Sequence, residues 1–327
     1  MSETIGVFGG AGCIGSHIVK NLLSKGHKVI VMDDLSSYPF DQIERFGLKD
    51  LDFEFVKGSI INKELVDSVI KRCDRVINLI SLTDVGLSIR DPEKCFNTDI
   101  IGCHNILESC FNHKIKKLVY ASSASVYGSP EWINGKPQKM SEDGKIYPIS
   151  NYALVKFFNE SLLRLYYELY GFQTTSLRYF SVWGIPQTNK KNSHSWMIPI
   201  FISQTIKKKP LTIIGDGLQV RDMTHISEIA EATVESLFND KTNGKVFNVG
   251  TGKPTSIIEI VNEIKKYFPD LKIVNVEKKK GDPLGCYADS NLMKELLGWT
   301  PKIRIEDRME ETIQWFLDDK KRIQKFI

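Results

Sequence analysis

A glycine-rich segment near the start of the chain constrains the fold more than any other feature. The segment Gly9–Gly15 directly follows the apolar run Ile5–Phe8 and leads into an amphipathic stretch. Its glycines permit a tight turn, close approach of the backbone to a pyrophosphate, and close packing of a helix on a strand. The backbone N–H groups at the start of that helix would face the phosphates. We therefore predict a dinucleotide site between the first strand and the first helix.

Asp33 ends the second apolar run, Lys28–Asp33. A carboxylate at this place accepts hydrogen bonds from the ribose hydroxyls of adenosine, and it repels a 2′-phosphate. The predicted cofactor is therefore NAD and not NADP. The alternative is that Asp33 only caps a loop.

Short β-branched runs alternate with longer amphipathic stretches in the first half of the chain. The predicted strands are Ile5–Phe8, Lys28–Asp33, Phe53–Val56, Arg75–Ile80, Lys117–Ala121 and Thr175–Tyr179. The predicted helices lie near Gly15–Lys25, Lys63–Arg72, Pro92–Phe111 and Asn151–Tyr170. This alternation predicts an α/β fold with a Rossmann-type, doubly wound parallel sheet.

The alternation of predicted strands and helices becomes less regular after Gly184. Residues 187–195 predict a polar loop, and a last helix is expected around Glu306–Leu317. We predict an NAD-binding Rossmann domain over residues 1–184 and a smaller C-terminal substrate-binding lobe over residues 185–327. This prediction includes the case in which segments of the second half return to the first domain, because lobes of this kind often interleave in sequence with the domain before them.

Composition and charge exclude several classes of protein. The chain is 42% hydrophobic and 26% charged, which is ordinary for a globular protein. Its formal net charge of +4 is modest and no basic face is evident, so no nucleic-acid partner is predicted. No apolar run approaches the ~18 residues of a membrane span, and the six cysteines include no Cys-x-x-Cys pair. We expect a cytoplasmic protein with neither a membrane partner nor a bound metal.

Two further segments carry groups suited to acid–base chemistry. Ser123 lies in a serine-rich segment after the fifth strand, at the edge of the sheet where ligands bind in such folds. Tyr152 and Lys156 open a long predicted helix, and their i, i+4 spacing puts them on one face. A free phenol has a pKa near ~10, and a nearby ammonium together with a positive nicotinamide ring would lower it. Tyr152 could then take the proton of a sugar hydroxyl while Ser123 orients the same oxygen and Lys156 holds the nicotinamide ribose. Chance pairing of a tyrosine and a lysine on a helix is the alternative.

The order of these motifs resembles a known family, the extended short-chain dehydrogenase/reductases, and within it the NAD-dependent sugar-nucleotide epimerase/dehydratase group. The resemblance covers nearly the whole chain. The matching blocks are Gly9–Gly15, Asp33, Ser122–Gly128, Tyr152–Lys156, Arg178–Phe180, Gly215–Gly217, Arg221–Asp222, Asn248–Gly250, Gly281–Asp282 and Leu297–Trp299. It implies an enzyme that binds NAD and a nucleotide sugar, with Ser123, Tyr152 and Lys156 as its catalytic residues.

The resemblance also implies which residues surround the two ligands. The implied cofactor-binding residues are Gly9, Gly12, Cys13, Ile14, Gly15, Asp33, Ser59, Ile60, Leu79, Ser81, Asp99, Tyr152, Lys156 and Tyr179. The implied substrate-binding residues are Ser125, Ser181, Arg221, Lys279, Asp282 and Cys286. Three of these positions depart from the family. It usually has an aspartate where this chain has Ser59, and asparagines where this chain has Asp99 and Ser181. These departures leave the particular sugar and the tightness of NAD binding open.

The subfamily follows from the residues beside Ser123. Dehydratases of the family carry an Asp-Glu pair where this chain has Ala124 and Ser125, and decarboxylases carry a glutamate at the second place. The string from Ser123 onward resembles the 4-epimerases instead. The resemblance therefore implies 4-epimerisation of a UDP-hexose or a UDP-N-acetylhexosamine through a transient 4-keto sugar. Cys286 stands where a bulky tyrosine restricts some 4-epimerases, so its small side chain leaves room for a 2-acetamido group.

Two other functions stay open at this stage. The same scaffold could reduce a keto-sugar nucleotide or epimerise another carbon, and a reductase would consume reduced cofactor in each cycle. A non-enzymatic NAD-binding protein is the third alternative, although it would not need the serine, tyrosine and lysine together. The family also implies a homodimer, formed here by the predicted helices Pro92–Phe111 and Asn151–Tyr170. The alternative is that the apolar residues of the second helix face the sheet.

Overall fold

A seven-stranded parallel sheet lies at the centre of the protein. The computed structural model describes residues 2–37, 42–130, 132–187, 196–277 and 284–318. The strands, in chain order, are β1 (Thr4–Phe8), β2 (Lys28–Asp33), β3 (Glu54–Lys57), β4 (Arg75–Asn78), β5 (Leu118–Ser123), β6 (Gln138–Met140), β7 (Thr174–Tyr179), β8 (Val182–Trp183), β9 (Leu211–Ile214), β10 (Val220–Arg221), β11 (Thr224–His225), β12 (Lys245–Val249), β13 (Thr255–Ser256), β14 (Ile273–Val276) and β15 (Cys286–Ala288). The sheet has the order β12-β7-β5-β4-β1-β2-β3, and each neighbouring pair in it is parallel.

Helices cover both faces of this sheet. The helices, in chain order, are α1 (Cys13–Ser24), α2 (Gln42–Arg45), α3 (Lys63–Ile70), α4 (Val85–Arg90), α5 (Pro92–Phe96), α6 (Gly102–Asn112), α7 (Asn151–Tyr170), α8 (Met197–Ile206), α9 (Ile226–Phe238), α10 (Ile257–Lys265), α11 (Asn291–Leu297) and α12 (Ile305–Asp318). Helices α1 and α9 pack on one face, and α3, α6 and α7 pack on the other. The predicted Rossmann-type α/β fold is confirmed. No helix in the described part of the chain is long and apolar enough to span a membrane.

The strands explain why the apolar runs of the sequence are continuous. In β1, Ile5 and Val7 pack with α1 and α9, whereas Phe8 packs with the helices of the opposite face. All three side chains have 0% exposure. Since successive side chains of a strand point to opposite faces, a strand covered on both faces must be apolar at nearly every position.

A second apolar core belongs to the later part of the chain. It is formed by α8, β9, α10 and α12, which pack around Trp183, Ile202 and Ile260. Part of the later chain nevertheless packs with the first half, because β12 pairs with β7 and α9 shares a core with α1. The domain boundary at residue 184 stays a prediction. Strand β12 and helix α9 follow that boundary in the chain but lie against the Rossmann sheet.

The bounds of the elements follow local signals where such signals exist. Helix α7 begins and ends at the predicted residues, because the Ser150 hydroxyl accepts a hydrogen bond from Ala153 N and Gly171 adopts the left-handed conformation at its end. Strand β4 ends two residues before the predicted bound. There the Asn78 side chain accepts a hydrogen bond from Ile80 N and so turns the chain away from the sheet.

The predicted helix Pro92–Phe111 is interrupted in the structure. It consists of α5, a π-helical stretch over Asn97–Ile101, and α6. A π-helical stretch inserts an extra residue into the turn, and such insertions are frequent at functional sites. Sequence periodicity did not predict this interruption.

Candidate functional site

A cavity of about 1460 Å³ opens at the carboxyl ends of the sheet strands. It extends from the glycine-rich turn to β10 and β15 of the later chain. The predicted site residues that line it are Gly9, Gly12, Cys13, Ile14, Gly15, Asp33, Ser59, Ile60, Leu79, Ser81, Ser123, Ser125, Tyr152, Lys156, Tyr179, Ser181, Arg221 and Cys286. Residues scattered over most of the chain thus surround one space, at the edge of the sheet where the parallel-strand rule expects a ligand.

The glycine-rich turn has the form that a pyrophosphate requires. A Cβ on Gly15 would lie 2.2 Å from Gly9 O, so only glycine allows α1 to approach the turn this closely. A Cβ on Gly12 would meet nothing within 4 Å except Gly9 O, at 3.2 Å, so this position is open to the cavity. Helix α1 begins with no side-chain cap and no acidic residue in its first turn. The positive end of the helix dipole is therefore directed at an anion without an acidic side chain of this turn to compete.

Asp33 lies beside this turn and is 8% exposed. One carboxylate oxygen accepts a hydrogen bond from Ala11 N at 3.2 Å, and the other accepts one from Leu35 N at 2.9 Å. Asp33 therefore braces the glycine-rich turn and caps the following loop, and it also lines the cavity. Both predicted roles, a ribose acceptor and a loop cap, are compatible with this geometry.

Ser123, Tyr152 and Lys156 converge on one wall of the cavity. Ser123 is the last residue of β5, and Tyr152 lies in the first turn of α7. The Tyr152 phenol lies near enough to the Ser123 side chain for that serine to influence its pKa. Lys156 lies one turn further along α7, where its Nζ donates to Ala121 O at 2.7 Å and sits 5.7 Å from the centre of the Tyr152 ring. The structure thus brings the three predicted catalytic residues together.

Burial dominates the electrostatics of this wall. It raises the pKa of Tyr152 to about 12, although the nearby Ser123 side chain opposes the shift. Burial also lowers the pKa of Lys156, against the opposing charge of Asp99. The sequence had led us to expect that Lys156 would help to lower the pKa of the phenol. That expectation also included the positive nicotinamide ring, so it stays a prediction for the enzyme with its cofactor bound. In the protein alone, burial is the largest influence on the phenol, and Lys156 Nζ hydrogen-bonds to Ala121 O.

The far end of the cavity carries a cation without an acidic partner. The Arg221 guanidinium forms no ion pair with a carboxylate of the described residues, and its Nη1 donates to Val220 O at 2.7 Å. Burial lowers the pKa of Arg221. A Cβ on Gly285 would lie 2.8 Å from Arg221 Nη1, so this glycine makes room for the guanidinium. A partly buried, unneutralised guanidinium facing a cavity is suited to a phosphate.

Two smaller groups complete this end. The buried Ser125 hydroxyl has no hydrogen-bond partner within the described part of the chain, although it lines the cavity. A buried hydroxyl without a partner is costly, so a polar ligand group is its natural acceptor or donor. Burial raises the pKa of the Cys286 thiol to about 11, so this side chain is neutral and presents a small, weakly polar surface.

One described residue among the predicted site residues, Asp99, does not line the cavity. Asp99 is 1% exposed and lies behind Ser81, whose hydroxyl is hydrogen-bonded to the Asp99 carboxylate. Contact of Asp99 with a cofactor, which the resemblance implied, stays a prediction. Lys279 and Asp282 lie outside the described residues.

Sequence reasoning missed other residues of the wall. Thr83, Asp84 and Arg90 line it from the segment that follows β4 and from α4. Trp183 and Trp196 line it from the later chain. The first group had a usable signal, because the carboxyl end of every strand in such a sheet points to the ligand. The tryptophans carried no local signal, since apolar residues of that kind also form ordinary cores.

Comparisons with known proteins agree with this geometry. Residues 5–250 match the model of the NAD dependent epimerase/dehydratase family. A relative from Bacillus cytotoxicus, a UDP-N-acetyl-alpha-D-glucosaminuronate decarboxylase, is 30% identical over 95% of this chain and 96% of its own. The solved UDP-glucose 4-epimerase of Thermotoga maritima, with UDP-glucose, superposes with a TM-score of 0.87 at 30% identity over 96% of this chain and 99% of its own.

A second solved structure resembles this chain to about the same degree. It is the UDP-N-acetylglucosamine 4-epimerase of Methanobrevibacter ruminantium in complex with UDP-N-acetylmuramic acid. Its TM-score is 0.85 at 30% identity, over 97% of this chain and 99% of its own.

Proposed function

Since this chain belongs to the NAD dependent epimerase/dehydratase family, we propose that it is an NAD-dependent 4-epimerase of a nucleotide-activated sugar. The substrate is a UDP-hexose or a UDP-N-acetylhexosamine. The observation that carries the proposal is the convergence of Ser123, Tyr152 and Lys156 on one cavity wall. A protein that only bound NAD would not need this set.

The residues around the glycine-rich turn fit NAD. Gly12, Cys13 and Ile14 present the start of α1 to the pyrophosphate, and Asp33 accepts hydrogen bonds from the adenosine ribose. The remaining residues proposed to hold the cofactor are Gly9, Gly15, Ser59, Ile60, Leu79, Ser81, Lys156 and Tyr179. Bound NAD would supply a hydride acceptor and donor for a sugar carbon, and its positive ring would favour a phenolate nearby.

The chain's own groups handle the proton of the reacting hydroxyl. Tyr152 Oη takes the proton from the sugar O4 and gives it back after the sugar has turned over. The Ser123 hydroxyl orients the same oxygen. The buried Lys156 ammonium supplies positive charge to this wall, which matters because burial by itself favours the neutral phenol. No net redox change results, so the cofactor stays bound through the cycle.

The opposite end of the cavity binds the nucleotide sugar. Arg221 meets a phosphate, and Ser125 and Ser181 offer hydroxyls to the sugar. Cys286 leaves space for a substituent at C2, so we include N-acetylhexosamines among the substrates. Lys279 and Asp282 are proposed to contact the substrate from the segment between β14 and β15. The likeness to enzymes whose structures contain UDP-glucose and UDP-N-acetylmuramic acid supports a UDP-sugar.

The first experiment needs no added cofactor. The purified protein is incubated with UDP-glucose, UDP-galactose and their N-acetylated counterparts, and the products are resolved by NMR. Interconversion at C4 supports the epimerase with retained NAD, and the preferred pair tests the argument from Cys286. Conversion of a keto-sugar nucleotide only in the presence of added reduced cofactor would favour a reductase instead. Release of CO₂ from a UDP-uronate would favour the chemistry of the Bacillus cytotoxicus relative.

A variant of the phenol tests the mechanism. Tyr152→Phe should abolish turnover and leave the melting temperature close to that of the wild type, because only one hydroxyl is removed. Tyr267→Phe, on an exposed side chain outside the cavity, is the matched control and should keep full activity. Near-normal turnover by Tyr152→Phe would contradict the assigned role.

We also propose a homodimer. The face formed by α5, the π-helical stretch and α7 presents apolar side chains to solvent, with exposures of 38 to 66%: Phe96, Ile101, Leu154, Phe158, Leu165 and Leu169. Light scattering on a sizing column should give twice the mass of the chain, and Phe158→Glu should give the monomer mass. A wild-type monomer would overturn this proposal.

We further propose a cytoplasmic location. No disulfide joins cysteines of the described residues, although Cys103 and Cys110 are buried in one core. Reduced cysteines of this kind are typical of proteins from reducing compartments. Fractionation of cells with an antibody to the chain measures the location directly.

A further inference from the structure

One buried ion pair lies next to the serine turn, which is the segment 122–127 that carries Ser123. The Arg178 guanidinium contacts the Glu160 carboxylate at 2.7 Å, and the two side chains are only 4% and 3% exposed. Both Nε and Nη2 of Arg178 donate to this carboxylate. A buried ion pair is often no more stabilising than apolar side chains of the same size. The further contacts of this pair therefore matter more than its own contribution to stability.

The first of these contacts is at the start of the serine turn. Ser122 is the residue directly before Ser123 in β5, and it lies opposite Arg178 of β7 in the sheet. The Ser122 hydroxyl donates a hydrogen bond to the Glu160 carboxylate. Glu160 follows Tyr152 on α7 by eight residues, a spacing that puts both in one row along the helix surface. The carboxylate therefore connects the end of β5 to the helix that carries Tyr152.

The second contact is at the other end of the serine turn. Tyr127 is the last residue of the single helical turn Ala124–Tyr127. Arg178 Nη1 donates to Tyr127 Oη at 2.8 Å, and the guanidinium carbon lies 4.9 Å from the centre of the Tyr127 ring. The phenol in turn donates to Asn248 Oδ1 of β12 at 2.6 Å. The ion pair thus contacts the serine turn at both of its ends.

Between its two ends, the serine turn determines the direction of the Ser123 hydroxyl. Ser123 Oγ accepts a hydrogen bond from Ser125 N at 3.1 Å. A hydroxyl has one proton to donate and two lone pairs. Since the contact with Ser125 N uses a lone pair, the proton of Ser123 is free to be donated towards the cavity that this residue lines. The place of the serine turn therefore decides where that proton points.

We propose that Glu160 and Arg178 are positioning residues, which hold the serine turn against α7 at both ends and thereby fix the Ser123 hydroxyl relative to Tyr152. The inference rests on the proposed function, because the geometry that it explains is that of the proton transfer. Neither Glu160 nor Arg178 lines the cavity, so both act on the reaction through the serine turn and not by contact with a ligand.

Replacement of the whole pair separates positioning from stability. The double variant Arg178→Met/Glu160→Leu fills the same space with apolar side chains, so its melting temperature should stay within about 5 °C of the wild type. Its kcat should nevertheless fall about tenfold or more, because the serine turn has lost its contacts at both ends and Ser123 is misplaced. Its KM should stay within about twofold of the wild type. The control is Ile260→Ala in the second apolar core, which should lower the melting temperature and leave kcat unchanged.

A second double variant releases the serine turn and leaves the ion pair intact. Ser122→Ala/Tyr127→Phe removes the two hydroxyls through which the pair contacts the turn. It should also lower kcat by about tenfold or more, and each single change should lower it by less. This variant decides the matter if the apolar replacement of the pair does not fold. A kcat near that of the wild type in either folded double variant would overturn the proposal.

Amide hydrogen exchange provides a readout that needs no substrate. The N–H groups of Ser125 and Gly128 donate to Ser123 Oγ and Ser125 O within this region. In both double variants these amides should exchange about tenfold faster or more, whereas the amides of β1 should keep their protection. Unchanged exchange of Ser125 and Gly128 would overturn the proposal. Absence of turnover in the wild type would count against the proposed function alone, and the exchange rates would still decide whether the ion pair holds the serine turn.

Discussion

Lys117 offers a quantitative test of how this fold holds a buried amine. Its side chain has 0% exposure, and Nζ donates hydrogen bonds to Asn239 O at 2.8 Å and to Thr242 Oγ1 at 2.6 Å. These acceptors lie just beyond α9, so the amine caps the carboxyl end of that helix. Burial lowers the pKa of Lys117 from 10.5 to about 7. The folded protein therefore releases a proton from Lys117 at a pH where the unfolded chain still binds it.

The sign and the size of the effect follow from this difference. Above about pH 7 and up to about pH 10, the unfolded chain binds more protons than the folded chain, so the free energy of unfolding rises with pH. A full proton corresponds to ~1.4 kcal/mol for each pH unit. Because the folded amine is half titrated near pH 7, the rise between pH 7 and pH 9 amounts to about 2 kcal/mol. Lys117→Met lacks this contribution, so the wild type should gain about 2 kcal/mol relative to the variant over that interval.

Urea unfolding followed by tryptophan fluorescence at pH 7, 8 and 9 measures this gain. Lys116→Met is the matched control, since the neighbouring side chain is 51% exposed and its hydrogen bond to Glu3 raises the pKa of Lys116, so that this amine stays protonated across the interval. The free energies of unfolding of the wild type and Lys116→Met should therefore differ by the same amount at all three pH values. A constant difference between the wild type and Lys117→Met would refute the reasoning, because the amine would then be equally protonated in the folded and unfolded chains.

Three further changes test other parts of the structure. Gly128→Ala should lower the free energy of unfolding by about 2 kcal/mol or more, because φ is 72° and the new Cβ would lie 2.2 Å from the carbonyl oxygen of residue 147; an unchanged urea midpoint would contradict this. Arg178→Met leaves the buried Glu160 carboxylate without its partner and should lower the free energy of unfolding by about 3–5 kcal/mol. Adding Glu160→Leu to this variant should restore more than half of the loss. Ser88→Ala removes the acceptor of the Tyr152 N–H, 3.2 Å away, and should reduce kcat about tenfold at a nearly constant melting temperature; a change in KM alone would speak against this role.

The parts of the fold that local sequence determines were predictable. The glycine-rich turn has its form because Gly15 must allow α1 to lie against the turn, and that requirement is visible in the spacing of the glycines. Helix α7 has both of its bounds encoded in neighbouring residues, Ser150 and Gly171. The convergence of Ser123 with Tyr152 was also predictable, because the end of a parallel strand and the start of the following helix meet at the same edge of the sheet.

Features that depend on distant residues were not predictable. Lys245–Val249 belongs to the sheet only because it pairs with β7, and no local pattern announces that partner. The place of Asp99 behind Ser81 required the π-helical stretch, which periodicity alone does not reveal. The high pKa of Tyr152 reflects how completely the surrounding chain buries it, and the spacing to Lys156 contains no information about burial.

The position of β12 at the end of the sheet has a consequence for synthesis of the chain on the ribosome. Strand β7 is buried at all six positions. It pairs with β5 on one side and, in the part of the chain that the structure describes, with β12 on the other. Residues 180–244 are made after β7 and before β12, so a nascent chain passes through a stage in which β7 is an unprotected, apolar edge. Such edges pair readily with other chains. Chaperone binding and aggregation of nascent chains should therefore be greatest while this interval is being translated, and they should fall once Lys245–Val249 has left the ribosome and closed the edge.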